Sequence, residues 1–425
     1  MQVLLQNGRL IDPLSGRDEQ TDIHIVDGVI QRIGQQLSVP GVQVISVQGK
    51  VIAPGFIDMH VHFREPGFEH KETIETGTAA AAAGGFTAVC CMPNTNPPID
   101  DASVVRFVKS KAASAHGGLV DVHPIGTVTL ERKGEQLAPL VELAAEGAVG
   151  FSDDGDPVYD GEIMRRALEY SAMVDKPIIQ HAQDLPMTKG GAMNEGFVAT
   201  RIGLAGMPPV AEVSMVARDI LLAEYTGGRY HVAHVSTAGT IALVRDAKSR
   251  GLKVTCEVAP HHFALTDEAV MGFDTNTKMN PPLRSSADVE ALKNGLREGI
   301  IDAIASDHAP HSFDEKQVEF QLAPFGIIGL ETALGVAVTE LVVPGILTLS
   351  QLIEKFSVNP RRILRLPQVK IKEGEPANLT IFDPTAEWTV DPARMKSKSK
   401  NTPFGGRKLR GKPIGVINNG QVYWA

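Results

Sequence analysis

The sequence predicts an α/β protein, a (β/α)8 TIM-like barrel with a small β-sandwich domain formed by both termini. Three observations predict it. Between about residues 50 and 340, short β-rich runs alternate with longer helix-patterned stretches, and eight such runs can be counted. The two ends lack that alternation and read instead as short strands separated by turn signals. The 425 residues are enough for a barrel of ~250 residues plus an appended unit. The predicted boundaries are 1–52 for the N-terminal part of the sandwich, 53–365 for the barrel and 366–425 for the C-terminal part of the sandwich.

Taken in order, the N-terminal segment carries turns at Asn7-Gly8, Asp27-Gly28 and Gln48-Gly49. Barrel strands are predicted at 56–61, 87–91, 120–125, 148–152, 177–180, 230–235, 252–258 and 301–306. The first intervening helix, over 72–83, is rich in Ala and Glu and stops at Gly84-Gly85, a good helix C-terminus. A doubly wound open sheet also alternates in this way, but it does not need eight units. The short-strand style resumes from about 368, with 377–382 and 415–420 as examples. The basic run 396–400 reads as a solvated loop, and no internal repeat is visible.

Composition narrows the function. Hydrophobic residues make up 43%, charged residues 21% and Gly numbers 41, the profile of a globular α/β enzyme. A formal net charge of -9 with no basic stripe argues against nucleic acid as a partner. Cys90, Cys91 and Cys256 lie in apolar runs without metal or disulfide spacing, which fits buried thiols in a reducing cytoplasm. No basic leader precedes a long apolar segment and no window reaches the ~20 apolar residues of a membrane span, so a cytoplasmic location without a membrane partner is expected.

The chemistry lies at the strand ends. His60 and His62 close the first strand two residues apart, so both imidazoles face one side. Asp153 and Asp154 follow the fourth strand, His181 ends the fifth, His234 ends the sixth, and Asp307 with His308 follow the eighth. In a barrel these positions surround one mouth. Imidazole nitrogens and carboxylate oxygens suit zinc, and six candidate ligands exceed the four that one tetrahedral ion takes, so two ions bridged by a carboxylate are favoured over one. Such cations lower the pKa of water and polarise a carbonyl, which is metal-assisted hydrolysis. Asp307, last in the set, suits a proton carrier between water and a leaving nitrogen. Arg64 just beyond the histidine pair suits a carboxylate clamp. Asn94 and Asn280 follow the second and seventh strands, and His311 with 323–326 lies in a connection of the length expected of a lid.

These segments resemble those of dihydroorotases of the bacterial type I class, in the cyclic amidohydrolase superfamily. The resemblance rests on Asp58-Met59-His60-Val61-His62-Phe63-Arg64-Glu65-Pro66-Gly67, Met92-Pro93-Asn94-Thr95, Phe151-Ser152-Asp153-Asp154-Gly155, His234-Val235-Ser236, Lys278-Met279-Asn280-Pro281-Pro282-Leu283-Arg284 and Ser306-Asp307-His308-Ala309-Pro310-His311. It implies zinc held by His60, His62, Asp154, His181, His234 and Asp307, with Asp154 bridging and Asp307 as the catalytic acid and base. Many superfamily relatives bridge with a carboxylated lysine, and none stands near the end of strand four here. It further implies that Arg64, Asn94 and His311 hold the substrate carboxylate, that His62 borders the substrate, and that Asn280 and the backbone near Phe325 and Gly326 meet the ring. The implied reaction interconverts dihydroorotate and N-carbamoyl-L-aspartate in pyrimidine synthesis. A homo-oligomer such as a dimer, and association with aspartate carbamoyltransferase, are the partners it suggests. The alternatives are a hydantoinase or allantoinase, and a noncatalytic subunit that scaffolds aspartate carbamoyltransferase.

Overall fold

Alternating apolar positions and tight turns make the first fifty residues a set of strands. In the computed structural model, which describes residues 2–425, these are β1 (Gln2–Asp12), β2 (Arg17–Val26), β3 (Val29–Gly34), β4 (Gln43–Ser46) and β5 (Val51–Pro54). The barrel strands follow as β6 (Phe56–Val61), β7 (Phe86–Cys91), β8 (Asp121–Pro124) and β9 (Ile178–Gln180). After a two-residue parallel pair, β10 (Met193–Asn194) with β11 (Gly206–Met207), come β12 (Tyr230–Val232), β13 (Val254–Val258) and β14 (Ala303–Ile304). The chain ends with β15 (Leu379–Thr389), β16 (Lys408–Asn418) and β17 (Gln421–Trp424).

The terminal strands form one eight-stranded sheet in the order β17-β16-β15-β5-β1-β2-β3, with β4 beside β1. N-terminal β5 pairs antiparallel with C-terminal β15, so the two ends of the chain share one structure. Val3, Leu5, Ile23, Ile25, Ile52, Leu379 and Ile381 are buried together in its core. Asp27-Gly28 is a tight hairpin turn with both residues at positive φ, 49° and 77°. Asn7-Gly8 is not a turn: it lies inside β1, where the register against β2 shifts between Leu5 and Gly8 and Asn7 takes φ 62°. A bulge absorbs the left-handed residue without ending the strand.

In the barrel, β6, β7 and β8 form one run and β9, β12, β13 and β14 another, all parallel. The fourth strand, expected at 148–152, joins them by bridges at one residue, Phe151, to Gly126 and Ile178. Its backbone bonds are nonetheless made on both sides, Ser152 N to Gly126 O at 2.9 Å and Ile179 N to Phe151 O at 2.8 Å. The ring closes where His62 N donates to His308 O at 2.8 Å. A register shift between Asp58 and Val61 re-aims β6, so Ile57 and Met59 join the barrel-interior cluster while Val61 and Phe63 pack beneath the helices. Ile363 and Leu364, from and just after the short helix Asn359–Ile363, belong to the same interior cluster and plug the floor.

The first helix runs Ile74–Gly84, with Thr73 as its capping box and Gly85 in the left-handed region at its end, as the glycine pair predicts. Cys90, Cys91 and Cys256 are buried and free. Among the described residues no helix is long and apolar enough to cross a membrane. The basic run 396–400 departs from the expectation of a solvated loop. Its three lysines are exposed, but Ser397 and Ser399 between them are buried, and Lys398 N and Ser397 Oγ donate to Glu72. The alternation is that of a segment docked by one face.

Gly55 links the sheet to the barrel. Its N–H donates to Asn378 O at 3.0 Å, beside the Thr87 Oγ1 to Asn378 Oδ1 bond of 2.7 Å, and a Cβ there would overlap both side chains. Gly55→Ala is expected to cost about 1–3 kcal/mol of stability through overpacking. Urea denaturation measures it, and a loss under about 0.5 kcal/mol would show that the junction relaxes freely.

Candidate metal centre

Four imidazoles and two carboxylates meet at the C-terminal mouth of the barrel. Asp154 stands between two histidine sets: its Oδ1 lies 3.4 Å from His60 Nε2, 3.5 Å from His181 Nδ1 and 3.3 Å from His234 Nε2, and its Oδ2 lies 3.5 Å from His62 Nε2. Asp307 Oδ1 lies 3.2 Å from His62 Nε2 and 3.6 Å from His60 Nε2. All six side chains are buried. Two ligand triads result, His60 with Asp154 and His234, and His60 with His62 and Asp307, each with its donor atoms within 4.8 Å of one another.

The far nitrogens of three of these rings are tied to oxygen acceptors. His60 Nδ1 donates to Glu257 Oε1 at 2.8 Å, His62 Nδ1 to Asn94 Oδ1 at 2.8 Å and His181 Nε2 to Gln183 Oε1 at 2.9 Å. Each bond fixes the tautomer and leaves the inner nitrogen with its lone pair toward the centre. His60 Nε2 is buried without a hydrogen-bond partner, and His181 Nδ1 and His234 Nε2 face each other at 3.0 Å. Lone pairs and carboxylates converging in a buried space suit a cation, and a neutral-nitrogen and oxygen donor set fits zinc.

The backbone is bent to reach this arrangement. His234, Asp307 and Arg64 take positive φ of 30°, 48° and 62°, a region that side-chain-bearing residues seldom occupy. Burial alone would raise the Asp154 and Asp307 carboxyls, but protons shared with the surrounding histidines hold both below the usual carboxylate range, and a bound cation would take the place of those protons. Burial pushes Asp58 up to about 6, against hydrogen bonds from Ser306 and His60.

Two of the residues singled out from the sequence for the centre do not face it, Asp153 and His308. The His308 ring turns away: its Nε2 faces Glu72 at 3.3 Å and its Nδ1 accepts from Gly329 N at 3.2 Å. The neighbouring aspartates divide the work. Asp153 Oδ1 accepts from Val128 N at 2.9 Å and Thr129 N at 3.0 Å, so it holds a loop, while Asp154 alone faces the histidines. Arg64 Nε donates to Pro310 O at 3.2 Å, and its Nη2 lies 3.5 Å from His311 Nε2. Burial lowers Arg64 to about 10 and, together with the charge of Arg64, lowers His311 to about 2, leaving that imidazole neutral. His311 Nε2 donates to Phe325 O at 2.8 Å, and Gly326, at φ 126°, comes so near His311 and Ala309 that a side chain there would press on both. Asn280 Nδ2 donates to Gln183 Oε1 at 2.7 Å, which couples it to His181.

Sequence reasoning missed Glu257, Gln183 and Asn401. Glu257 left a signal, a lone acid inside the apolar run of strand seven. Asn401 left none: it reaches the mouth from the C-terminal segment, donating to Ala309 O and Gly326 O, both at 3.1 Å, and accepting from His311 N at 3.1 Å. A cavity of about 900 Å³ beside Trp388 and Tyr423 contains none of these residues.

A family model described as dihydro-orotase-like matches residues 49–240. A dihydroorotase from Pelotomaculum thermopropionicum is 53% identical over 422 residues, covering 99% of this chain and 98% of that one. A dihydroorotase from Geobacter sp. strain M21 is 52% identical over 425 residues, covering 100% of this chain and 99% of that one. Among solved structures, the L-hydantoinase of Arthrobacter aurescens superposes with a TM-score of 0.87 at 26% identity, covering 99% of this chain and 95% of that one. The dihydropyrimidinase of Brevibacillus agri, at 23% identity, TM-score 0.85 and the same coverage, shares the fold.

The two aspartates separate experimentally. Asp154→Asn is expected to lower bound metal at least about tenfold after dialysis, as removal of a charged ligand should. Asp153→Asn is expected to keep its metal and lose about 1–3 kcal/mol of stability from weakened buried hydrogen bonds. Elemental analysis and urea denaturation of both variants check this, and the reverse pattern would exchange the assignments.

Proposed function

The chain belongs to the dihydroorotase family, and from that premise we propose that it interconverts dihydroorotate and N-carbamoyl-L-aspartate, in de novo pyrimidine synthesis in the cytoplasm, using zinc held by His60, His62, Asp154, His181, His234 and Asp307. Cyclic amide hydrolysis is the chemistry of the family and of its hydantoinase structural neighbours. The observation that carries the assignment of the site is the placement of Asp154, with each oxygen toward a different histidine set, which supports a bridged pair of ions over a single one. The barrel, 53–365, is proposed as the catalytic unit.

When bound, the metal activates water and polarises the scissile carbonyl. The protein's own groups do the rest. Asp307, whose carboxyl stays ionised, accepts the proton of the attacking water and returns it to the leaving ring nitrogen. Asn94 spends its oxygen on His62, so its Nδ2 is the donor that remains for a substrate carboxylate. Arg64 supplies the positive charge beside it. His311 spends its Nε2–H on Phe325 O, so it donates to a carboxylate only by releasing that carbonyl. This exchange gives the connection carrying Phe325 and Gly326 a way to respond to substrate. Asn280 Nδ2 spends one hydrogen on Gln183 Oε1, and with the His181 Nε2–H also committed to Gln183 its second hydrogen is the one it can offer to a ring oxygen.

Relatives at about half identity over the full chain favour dihydroorotate over hydantoin or allantoin, and the complete ligand set favours catalysis over a scaffold role. Zinc content measured together with turnover of dihydroorotate, hydantoin and allantoin tests the reading. Preference for hydantoin, or bound metal without turnover, would reject it. Asp307→Ala is expected to lower kcat by about 10²–10⁴-fold or more with the fold retained, the usual range for a lost acid and base. Arg64→Ala is expected to raise KM at least about tenfold, the loss of a charge-assisted carboxylate contact, and an unchanged KM in steady-state assays would remove it from the substrate site.

A further inference from the structure

At the opposite end of the barrel lies charge that the reaction does not use. The chain's formal net charge is -9, yet a floor cavity of about 280 Å³ is lined by Arg229, Lys253, Arg362 and Arg365 and by one acid, Asp302. These cations arrive from separate places: Arg229 precedes β12, Lys253 precedes β13, Arg362 lies on the floor helix Asn359–Ile363, and Arg365 follows that helix. The single acid is already engaged, since Asp302 Oδ2 pairs with Lys248 Nζ at 2.7 Å.

Two of the guanidinium groups are held in place by one carboxylate. Asp175 accepts from Arg229 Nε at 2.6 Å and from Arg365 Nε at 2.7 Å. Using Nε on Asp175 leaves the Nη nitrogens of both for another acceptor. Arg362 Nη1 donates to Asn359 Oδ1 at 3.0 Å and Lys253 Nζ to Gly227 O at 3.0 Å, so neither is neutralised by a carboxylate. The floor helix is short of acceptors on another face too: the preceding residue, Arg361, is 6% exposed, and its Nε and Nη2 are buried without hydrogen-bond partners. Cations gathered around a concave space repel one another, and a multiply charged anion relieves that cost.

We propose that this floor cavity binds a phosphoryl anion, separate from the catalytic mouth. Planar guanidinium forks match phosphoryl oxygens, and the volume suits a phosphate or the phosphate end of a small ester better than a large ligand. The cavity wall is also tied to the catalytic strand, because Asn359 Nδ2 donates to Asp302 O at 2.9 Å, at the start of the segment leading through β14 to Asp307.

Calorimetric titration of the metal-loaded enzyme with inorganic phosphate, pyrophosphate and adenosine 5′-monophosphate tests the proposal, with sodium chloride at matched ionic strength as control. The variant is Lys253→Gln with Arg362→Gln, both exposed and outside the catalytic machinery. Saturable binding in the unaltered protein is expected, weakened at least about tenfold by the double substitution, with turnover unchanged. Effects through metal chelation at the mouth would be equal in the two proteins. Tighter binding of the monophosphate ester than of inorganic phosphate assigns the site to an ester, and the reverse assigns it to the free anion. Equal binding by both proteins, or heats reproduced by chloride, would overturn the proposal. Arg365→Lys keeps the charge and removes the fork, and its expected intermediate weakening tests the same site if the double variant is unstable.

Discussion

Closure of the barrel between its first and last strands is the constraint on which the metal centre depends. β6 and the segment after β14 are far apart in sequence, and they meet through the bond from His62 N to His308 O and through Asp58. The Asp58 carboxylate accepts from Ser306 N with both oxygens, at 3.0 and 3.1 Å, and from His60 N at 3.1 Å. A side chain thus does the work of a backbone ladder at the seam. It sets the His60 backbone against the residue preceding Asp307, which brings acid and imidazoles from opposite ends of the barrel sequence to one point. The cost is local: a carboxylate with no exposure, and positive φ at Asp307 just past the seam.

Around that seam the rings are aimed by a layer of oxygen acceptors. Glu257 on β13, Asn94 after β7 and Gln183 after β9 each take the outer N–H of one histidine, so separate strands contribute to the orientation of one centre. Gln183 also accepts from Asn280, and His311 is bonded to Phe325, so the groups that orient the histidine rings are continuous with the groups proposed to meet a substrate. The terminal sheet is not a passive appendage. The chain between β15 and β16 runs across the barrel, buries Ser397 against Glu72 and places Asn401 on three backbone groups of the mouth. Glu72 in turn faces His308, which ties this segment back to the seam.

Much of this was legible in the chain because strand ends carry local signatures. His-x-His at the end of an apolar run, an aspartate pair before a glycine and Ser306-Asp307-His308 each announce a polar residue at a strand terminus, and eight runs fix where those termini meet. The less regular parts were harder to read. Strand four makes its backbone bonds through an irregular stretch around Phe151, so its pattern is sound and its ladder short. Asn7-Gly8 has the residues of a turn and the geometry of a bulge, because β1 continues its pairing beyond it. The lysines of 396–400 dominate the composition there, while the serines between them decide where the segment lies.

The sequence by itself determined the donor types, their approximate spacing around a barrel mouth and the family to which they are similar, because period-two strands and terminal residues are local properties of the chain. Only the tertiary structure decided which aspartate faces the histidines, that His308 turns outward, and that Glu257, Gln183 and Asn401 complete the surroundings. Those outcomes are set by through-space contact. Adjacent residues at a strand end point in opposite directions, and a partner from the far terminus leaves no mark beside the residue it holds.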